Sequence, residues 1–378
     1  MSESAILADL LVVELASVLA GPSVGMFLAE LGARVIKVEN AKTNGDVTRA
    51  WRLPEENSRD DRSAYFCSVN WGKESIALDL TQATDQRLLE TLIAKADVVI
   101  TSFIPGQMQR LGLDWEKWQS LNPRLILAQI TGYGPEETRP AFDAVIQAEA
   151  GFTFLNGSPD QISKMPVALM DVLTAHQLKE AILLAYIHRL RTGIGKRVQV
   201  SLLQSGISSL VNQATNYLVT GHIPQAQGSD HPNIVPYGTL FQTRDAKRVV
   251  LAVGTDAQFD RLCRLLGKPT PVAWITNVER VKQRQAVKTW LQALFLEWDQ
   301  ADLLAELQAQ QIPAGPVRNL AEVMATPQAQ ALKLDGSEVA GIKSMAAELG
   351  QGTKQEQLKE PPHFDEHGAL VRAEFWEK

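Results

Sequence analysis

The sequence predicts an α/β protein, a parallel sheet wound with helices followed by a smaller α+β unit. Three observations predict it. The apolar run Leu10 to Leu15 is broken by Ala20-Gly21-Pro22 before a stretch of helical period through Leu31, and a β-branched run follows at Arg34 to Glu39. The same alternation returns downstream, with helical spacing from Asp85 to Lys95 and strand-like runs at Asp97 to Thr101 and Leu125 to Ile130. Between Thr220 and Pro236 the chain turns rich in Gly, Pro, Gln, Asn and His, a composition that suits a linker.

Taken in order, Gly32 ends the first helix, and Gly132 and Gly134 sit just past the strand that ends at Ile130. In open α/β sheets ligands bind outside the carboxyl ends of the strands, which places Ala20, Ser102 and Thr131 to Gly134 on candidate binding loops. From Asp171 to Arg191 apolar residues recur near helical spacing until Gly193 and Gly195 stop them, with Asp171 expected as the N-cap. A strand at Arg197 to Ser201 and a helix to about Tyr217 complete this half. Beyond the linker, Tyr237 to Thr243 and Arg248 to Gly254 read as a hairpin through Arg244 to Lys247. Helical patterns follow at Asp256 to Leu266, Val278 to Trp298 and Ala301 to Gln310, and Ile312-Pro313-Ala314-Gly315-Pro316 breaks the pattern again.

The 378 residues are 45% hydrophobic, enough to fill a sizeable core. Basic and acidic residues are interspersed to a net charge of −6, leaving no basic tract for a nucleic acid. The longest apolar runs fall far short of the roughly 20 residues that span a bilayer. Glu3 and Asp9 stand where a secretory signal would be basic and then apolar, so a cytoplasmic protein is expected. Cys67 and Cys263 form no CxxC pair and read as two buried thiols. No GxxxxGK[ST] or HExxH occurs, and Ala20-Gly21-Pro22-Ser23-Val24-Gly25 lacks the glycine spacing of a dinucleotide turn. His363 and His367 have metal-ligand spacing, but the flanking Pro361-Pro362 and Gly368 argue for a loop, and no metal site is expected.

Asp171 gains meaning from an ordered set of motifs. Leu19-Ala20-Gly21-Pro22, Leu31 to Glu39, Gly45-Asp46, Gly72 to Asp79, Ser102 to Gly106 with Arg110, Thr131-Gly132-Tyr133-Gly134, Phe142-Asp143 and Arg191 to Gly195 together resemble the class III coenzyme A transferases. Asn233 to Tyr237, Ile312 to Val317, Pro361-Pro362 and Glu366-His367 extend the likeness over nearly the whole chain. The resemblance implies a large Rossmann-like domain built from both chain ends, 1–222 and 318–378. It further implies a smaller α+β domain at 223–317 and an interlocked, ring-like homodimer. It assigns the acyl-carrying carboxylate to Asp171 and coenzyme A contacts to Leu19, Ala20, Gly72, Lys73, Ser102, Phe103, Arg110, Thr131, Gly132 and Tyr133. Acyl-CoA and small carboxylic acids would be the substrates, with no tightly bound cofactor.

A carboxylate attacking a thioester forms a mixed anhydride and divides one hard exchange into easier steps, so the assignment is chemically sound. Three departures stand out: Asn40 where some members carry Arg, Thr131 where some carry Lys, and no run of glycines between Thr220 and Pro236. A 2-methylacyl-CoA racemase of the same superfamily is the nearest rival. It needs a second base, and the residue before Asp143 is Phe142, where those relatives have His. An idle coenzyme A binding protein would be expected to lack Asp171. Arg49 and Arg52 are candidates for the distal carboxylate of a short dicarboxylate acceptor, against a reading as solvated surface charges.

Overall fold

The computed structural model describes residues 5–104, 106–348 and 358–376, and the chain forms two compact units. Glu3 and Pro105 lie outside the described residues. The first unit comprises Met1–Phe152, Lys164–Ala214 and Ala331–Lys378, so both chain ends enter it. Its frame is a six-stranded parallel sheet of β1 (Leu11–Leu15), β2 (Arg34–Asn40), β3 (Lys73–Leu78), β4 (Val98–Thr101), β5 (Ile126–Thr131) and β6 (Arg197–Ser201). The strands run β3-β2-β1-β4-β5-β6 across the sheet, the doubly wound order that reverses between β1 and β4.

Neighbouring residues of each strand face opposite sides, and both sides are apolar because both are covered. On one side Val12, Val35, Val98 and Ile100 meet α1 (Ala20–Glu30) and the long helix Leu169–Thr192 through Val24, Leu28, Leu178 and Ile182. On the other, Val13, Ile36, Val99 and Leu127 meet α2 (Ala83–Lys95) through Leu88, Leu89 and Leu92. The C-terminal helix Gly368–Phe375 packs on this side too, through Val371 and Phe375. Each such fully buried side chain contributes about 1.5–3 kcal/mol by leaving water. Gly32 turns the chain from α1 into β2 at φ +96°, where a Cβ would come within 2.3 Å of the Ala5 methyl.

The second unit, Thr153–Ser163 with Thr215–Gln330, has its own core. β7 (Tyr237–Gln242) and β8 (Arg248–Ala252) make the expected hairpin, and β9 (Ala314–Pro316) pairs antiparallel with β8. Phe259, Leu262, Leu291, Phe295, Leu303 and Leu307 from helices Asp256–Leu265, Arg284–Phe295 and Gln300–Ala309 close over that sheet.

Several elements differ from the sequence expectation. The helix expected to run to about Tyr217 is two, Leu202–Ser208 and Asn212–Thr220, parted where Val211 takes φ +44°. The pattern from Val278 to Trp298 also divides, at Gln283, whose ψ of 28° leaves the helical region. β3 escapes a hydrophobic reading because it opens on Lys73-Glu74-Ser75. The second unit reaches beyond 223–317 and takes in a short hairpin at 153–163, where Gly157 O accepts from Gly228 N at 2.6 Å. No helix among the described residues is long and apolar enough to cross a membrane.

Candidate active site

The order of the sheet determines where a ligand can enter. Leu15 pairs with Thr101 at the carboxyl ends of β1 and β4, so the turns that follow lie side by side at the reversal point, and Ser17 N donates to Ser102 Oγ. Two cavities open there. The larger, about 390 Å³, is lined by Asn40, Lys42, Thr43, Asp79, Thr81 and Gln107 among others. The smaller, about 280 Å³, holds Asp171 together with Leu19, Ala20, Thr131, Gly132, Arg139 and Phe142. They share Ser17, Val47, Ser102 and Phe103.

The turn between β1 and α1 separates the cavities, and a buried set of charges grips it from beneath. Val18 has φ +72°, a rare conformation for a β-branched residue. Its N–H donates to Asp46 (3.2 and 3.3 Å), which is held in turn by Lys37 (3.0 Å) and by the amide and hydroxyl of Thr48 (3.0 and 2.8 Å). Lys37 also reaches Glu14 (3.0 Å) and Ala16 O (2.8 Å). Lys73 binds both Glu14 oxygens (3.0 and 2.8 Å), Pro22 O (2.8 Å) and Asn70 (2.9 Å). Burial opposes the charge on Lys37, yet Glu14, Asp46 and Glu39 outweigh it and hold its pKa above the ordinary lysine value. A network this buried is tolerable only because every charge has a partner, and it reaches the backbone of residues 16 and 18 in the turn and of Pro22 in the first turn of α1.

Asp171 lies in the first turn of α4 (Leu169–Thr192), whose N-cap is Ala168. The expectation that Asp171 itself caps the helix is therefore corrected. Asp143, the first residue of α3 (Asp143–Glu149), does that work from another element by accepting from Met170 N at 2.8 Å. Asp171 is 8% exposed, and no donor among the described residues reaches its carboxylate. Burial, and then the negative charge of Asp143, push its pKa up to about 7. A helix N-terminus favours the anion, but here desolvation prevails. Phe142, 54% exposed, lines the same cavity.

Of the residues assigned coenzyme A contacts by resemblance, Leu19, Ala20, Ser102, Phe103, Thr131 and Gly132 line the Asp171 cavity. Gly72, Lys73, Arg110 and Tyr133 line neither cavity. Lys73 is turned inward and committed to Glu14, while Gly72, at φ +75°, backs onto Leu358 and Ala29. Tyr133 donates its hydroxyl to Glu149 (3.1 Å) and carries the Arg139 guanidinium over its ring at 3.9 Å. Arg110 is exposed and has no partner among the described residues, in the same short helix as Gln107 of the larger cavity. Asn40 lines that cavity and accepts from Lys42 N.

Arg49 and Arg52 are corrected more sharply. Arg49 is 5% exposed, forked onto Glu39 (2.9 and 2.6 Å), bonded to Pro362 O (3.2 Å) and stacked on Phe66 at 3.8 Å. Arg52 is spent on the carbonyls of Asn57 and Asp60. Neither is free to receive a substrate. The cation in the Asp171 cavity is Arg139, which a sequence reading passed over; its bonds to Glu149 (3.1 and 3.4 Å) are solvent-exposed and cheap to exchange. His363 and His367 do not converge: the first meets Asp61 (2.5 Å) and the second accepts from Ser75 N (3.3 Å). Asp60, Asp61 and His363 cluster closely enough for a metal ion, but Arg49 and Arg62 already pair with those carboxylates.

Comparison with known proteins adds independent findings. The sequence model described as CoA-transferase family III matches residues 7–367. The chain is 38% identical to the succinate–glutarate CoA-transferase of Agrobacterium fabrum, over 98% of this chain and 95% of that protein. It is 33% identical to the acetyl-CoA:oxalate CoA-transferase of Acetobacter aceti, over 97% and 95% respectively. The crystal structure of a CAIB/BAIF family protein from Brucella suis superposes with a TM-score of 0.83 at 38% identity, covering 97% of this chain and 98% of that one.

Proposed function

This chain belongs to CoA-transferase family III and is an enzyme of coenzyme A transfer, and from that premise we propose that it works through a covalent intermediate on Asp171. The observation that carries this reading is the state of that carboxylate. It is buried, without a donor, at a helix N-terminus and inside a cavity, and its pKa lies near neutrality. About half of it is ionised at pH 7, and that half is a poorly solvated anion. Among the described residues no histidine or cysteine lines the same cavity.

The steps balance without an added proton. An Asp171 oxygen attacks the thioester carbonyl of the donor, the C–S bond breaks, and a mixed anhydride and coenzyme A thiolate form. The thiolate then attacks the Asp171 carbonyl of the anhydride, releasing the donor acid and leaving an aspartyl thioester. The acceptor carboxylate attacks that thioester, its C–S bond breaks to release the thiolate and leave a second anhydride, and the thiolate then attacks the acceptor carbonyl of the anhydride, forming the new acyl-CoA and freeing the Asp171 carboxylate.

Coenzyme A would lie across both cavities, its nucleotide toward Asn40, Lys42 and the exposed Arg110, its thioester past Ser17 and Phe103 toward Asp171. Short dicarboxylates are the proposed acceptors, with Arg139 as the cation for the far carboxylate. The relatives named for succinate, glutarate and oxalate support that class. Phe142 cannot carry a proton, which disfavours racemisation. The interlocked homodimer remains part of the proposal; a monomer in a size measurement at micromolar concentration would remove it.

The deciding experiment is chemical trapping. Wild type incubated with succinyl-CoA alone and quenched with hydroxylamine should carry a hydroxamate at Asp171, read by peptide mass, and Asp171→Asn should carry none. A label on another residue, or near-normal turnover by Asp171→Asn, would end the aspartyl mechanism.

A further inference from the structure

A nucleophile must be held as well as ionised, and the segment that delivers Asp171 does little to hold itself. Residues 165–170 contain Pro166, Met165 is 40% and Val167 59% exposed, and the N-cap Ala168 offers no side chain to the first amides of α4. What fixes this segment comes from α3. Asp143 and Gln147 stand four residues apart, on one face of that helix, and are 8% and 0% exposed. Asp143 Oδ1 accepts from Met170 N (2.8 Å), and its Oδ2 accepts from Gln147 Nε2 (2.8 Å). Gln147 Oε1 accepts from Met165 N (2.7 Å), while its Nε2 donates to Met165 O and Val167 O (3.2 Å each). Three points of a six-residue approach, 165, 167 and 170, are thus tied to two buried side chains that are bonded to each other.

We infer that Asp143 and Gln147 are positioning residues, a clamp that sets where the Asp171 carboxylate stands relative to the thioester. The inference rests on the reading of Asp171 as nucleophile. Gln147 uses both ends of its amide, so its orientation is dictated: the oxygen must face Met165 N and the nitrogen must face Asp143. The pair carries one negative charge in total, and its hydrogen-bond polarity runs in one direction, from Gln147 to Asp143.

That polarity gives the test. Asp143→Asn keeps an oxygen for Met170 N but sets an amide nitrogen against the Gln147 nitrogen. Gln147→Glu keeps an oxygen for Met165 N but sets a carboxylate against Asp143 and removes the donor. The double variant Asp143→Asn/Gln147→Glu reverses and restores the bond between the two side chains with the charge of the pair unchanged, and still leaves Met165 O and Val167 O without their donor. Each single variant should lower kcat about 10- to 100-fold, as expected for a reacting group displaced by a fraction of an ångström. KM for succinyl-CoA should stay within about two-fold. The double variant should regain about tenfold over the weaker single. Hydrogen exchange on the peptide spanning 165–171 should quicken in the singles, while the β1 and β4 peptides keep their protection. Should Gln147→Glu fail to fold, Gln147→Met removes the same bonds without adding a charge.

Folded single variants with wild-type kcat, with wild-type protection at 165–171, or with the loss confined to KM would overturn the clamp. A double variant no better than Gln147→Glu alone would do the same. The two readings fail differently. If wild type yields no Asp171 hydroxamate, the nucleophile is wrong; if wild type is trapped and the singles are trapped equally fast, the clamp alone is wrong.

Discussion

Replacing Asp171 by Asn should stabilise the fold by an amount that grows with pH. In the folded protein Asp171 keeps its proton up to about pH 7, whereas in the unfolded chain it releases it near 3.8. Below 3.8 both states are protonated and the carboxyl costs nothing. Between the two values the unfolded chain gains from ionisation that the folded one resists, so stability falls as pH rises, and above about 7 the full penalty is present. A difference of roughly three pKa units at 1.36 kcal/mol each is about 4 kcal/mol, an upper bound because water entry or a small relaxation of the cavity would lessen it. Asn has the shape of the neutral acid and never ionises, so it escapes the penalty. Thermal unfolding of the two proteins should therefore coincide near pH 4 and part by about 5 to 10 °C at pH 8, taking a gain of 2–4 kcal/mol in a unit of this size. An Asn variant that melts no higher than wild type at pH 8, or that gains equally at every pH, would refute the picture of a carboxylate ionised at the expense of the fold. The same variant should be inert in exchange, a direct trade of stability for function.

Four further outcomes are expected. As Asp171 must be ionised to attack, kcat/KM should rise with pH through about 7; a flat profile between pH 6 and 8 would contradict its raised pKa. Arg49→Ala should cost about 3–5 kcal/mol in denaturant unfolding, since it strands the buried Glu39 carboxylate, while leaving acceptor preference unchanged in whatever protein folds. Arg110→Ala should raise KM for every acyl-CoA by about tenfold or more, the loss of a charge-assisted bond to a phosphate, and an unchanged KM would place Arg110 outside the site. Arg139→Ala should depress kcat/KM for succinate and glutarate about 10- to 100-fold against a monocarboxylate of similar length, and an equal loss for both would remove its role in recognising the far carboxylate.

The strands with apolar runs, β1, β2, β4 and β5, were legible in the sequence because a strand buried on both faces has no polar alternation to obscure it. β3 was not: Lys73 and Ser75 are buried in it only because Glu14 and Glu39, on other strands, wait to receive them. Arg49 was read as a substrate cation or a solvated surface charge, and not as a buried one, for the same reason, since its partners include Pro362, more than 300 positions away. Asp171 could be placed at a helix start by pattern, but the cap that frees it from capping is Asp143, 27 residues before the Met170 amide it accepts from, and no local pattern carries that information. Arg139 lacked any signal, because its importance comes from the cavity it lines.

The narrow waist at Ser17, Val47, Ser102 and Phe103 has a consequence for how such an enzyme can diversify. The smaller cavity takes Glu137, Arg139, Pro140, Ala141 and Phe142 from one stretch, whereas the larger cavity takes much of its lining from the ends of β1, β2 and β3. If coenzyme A and the acceptor divide between the cavities as proposed, changes in that stretch would act on the choice of acid more than on the hold of the nucleotide.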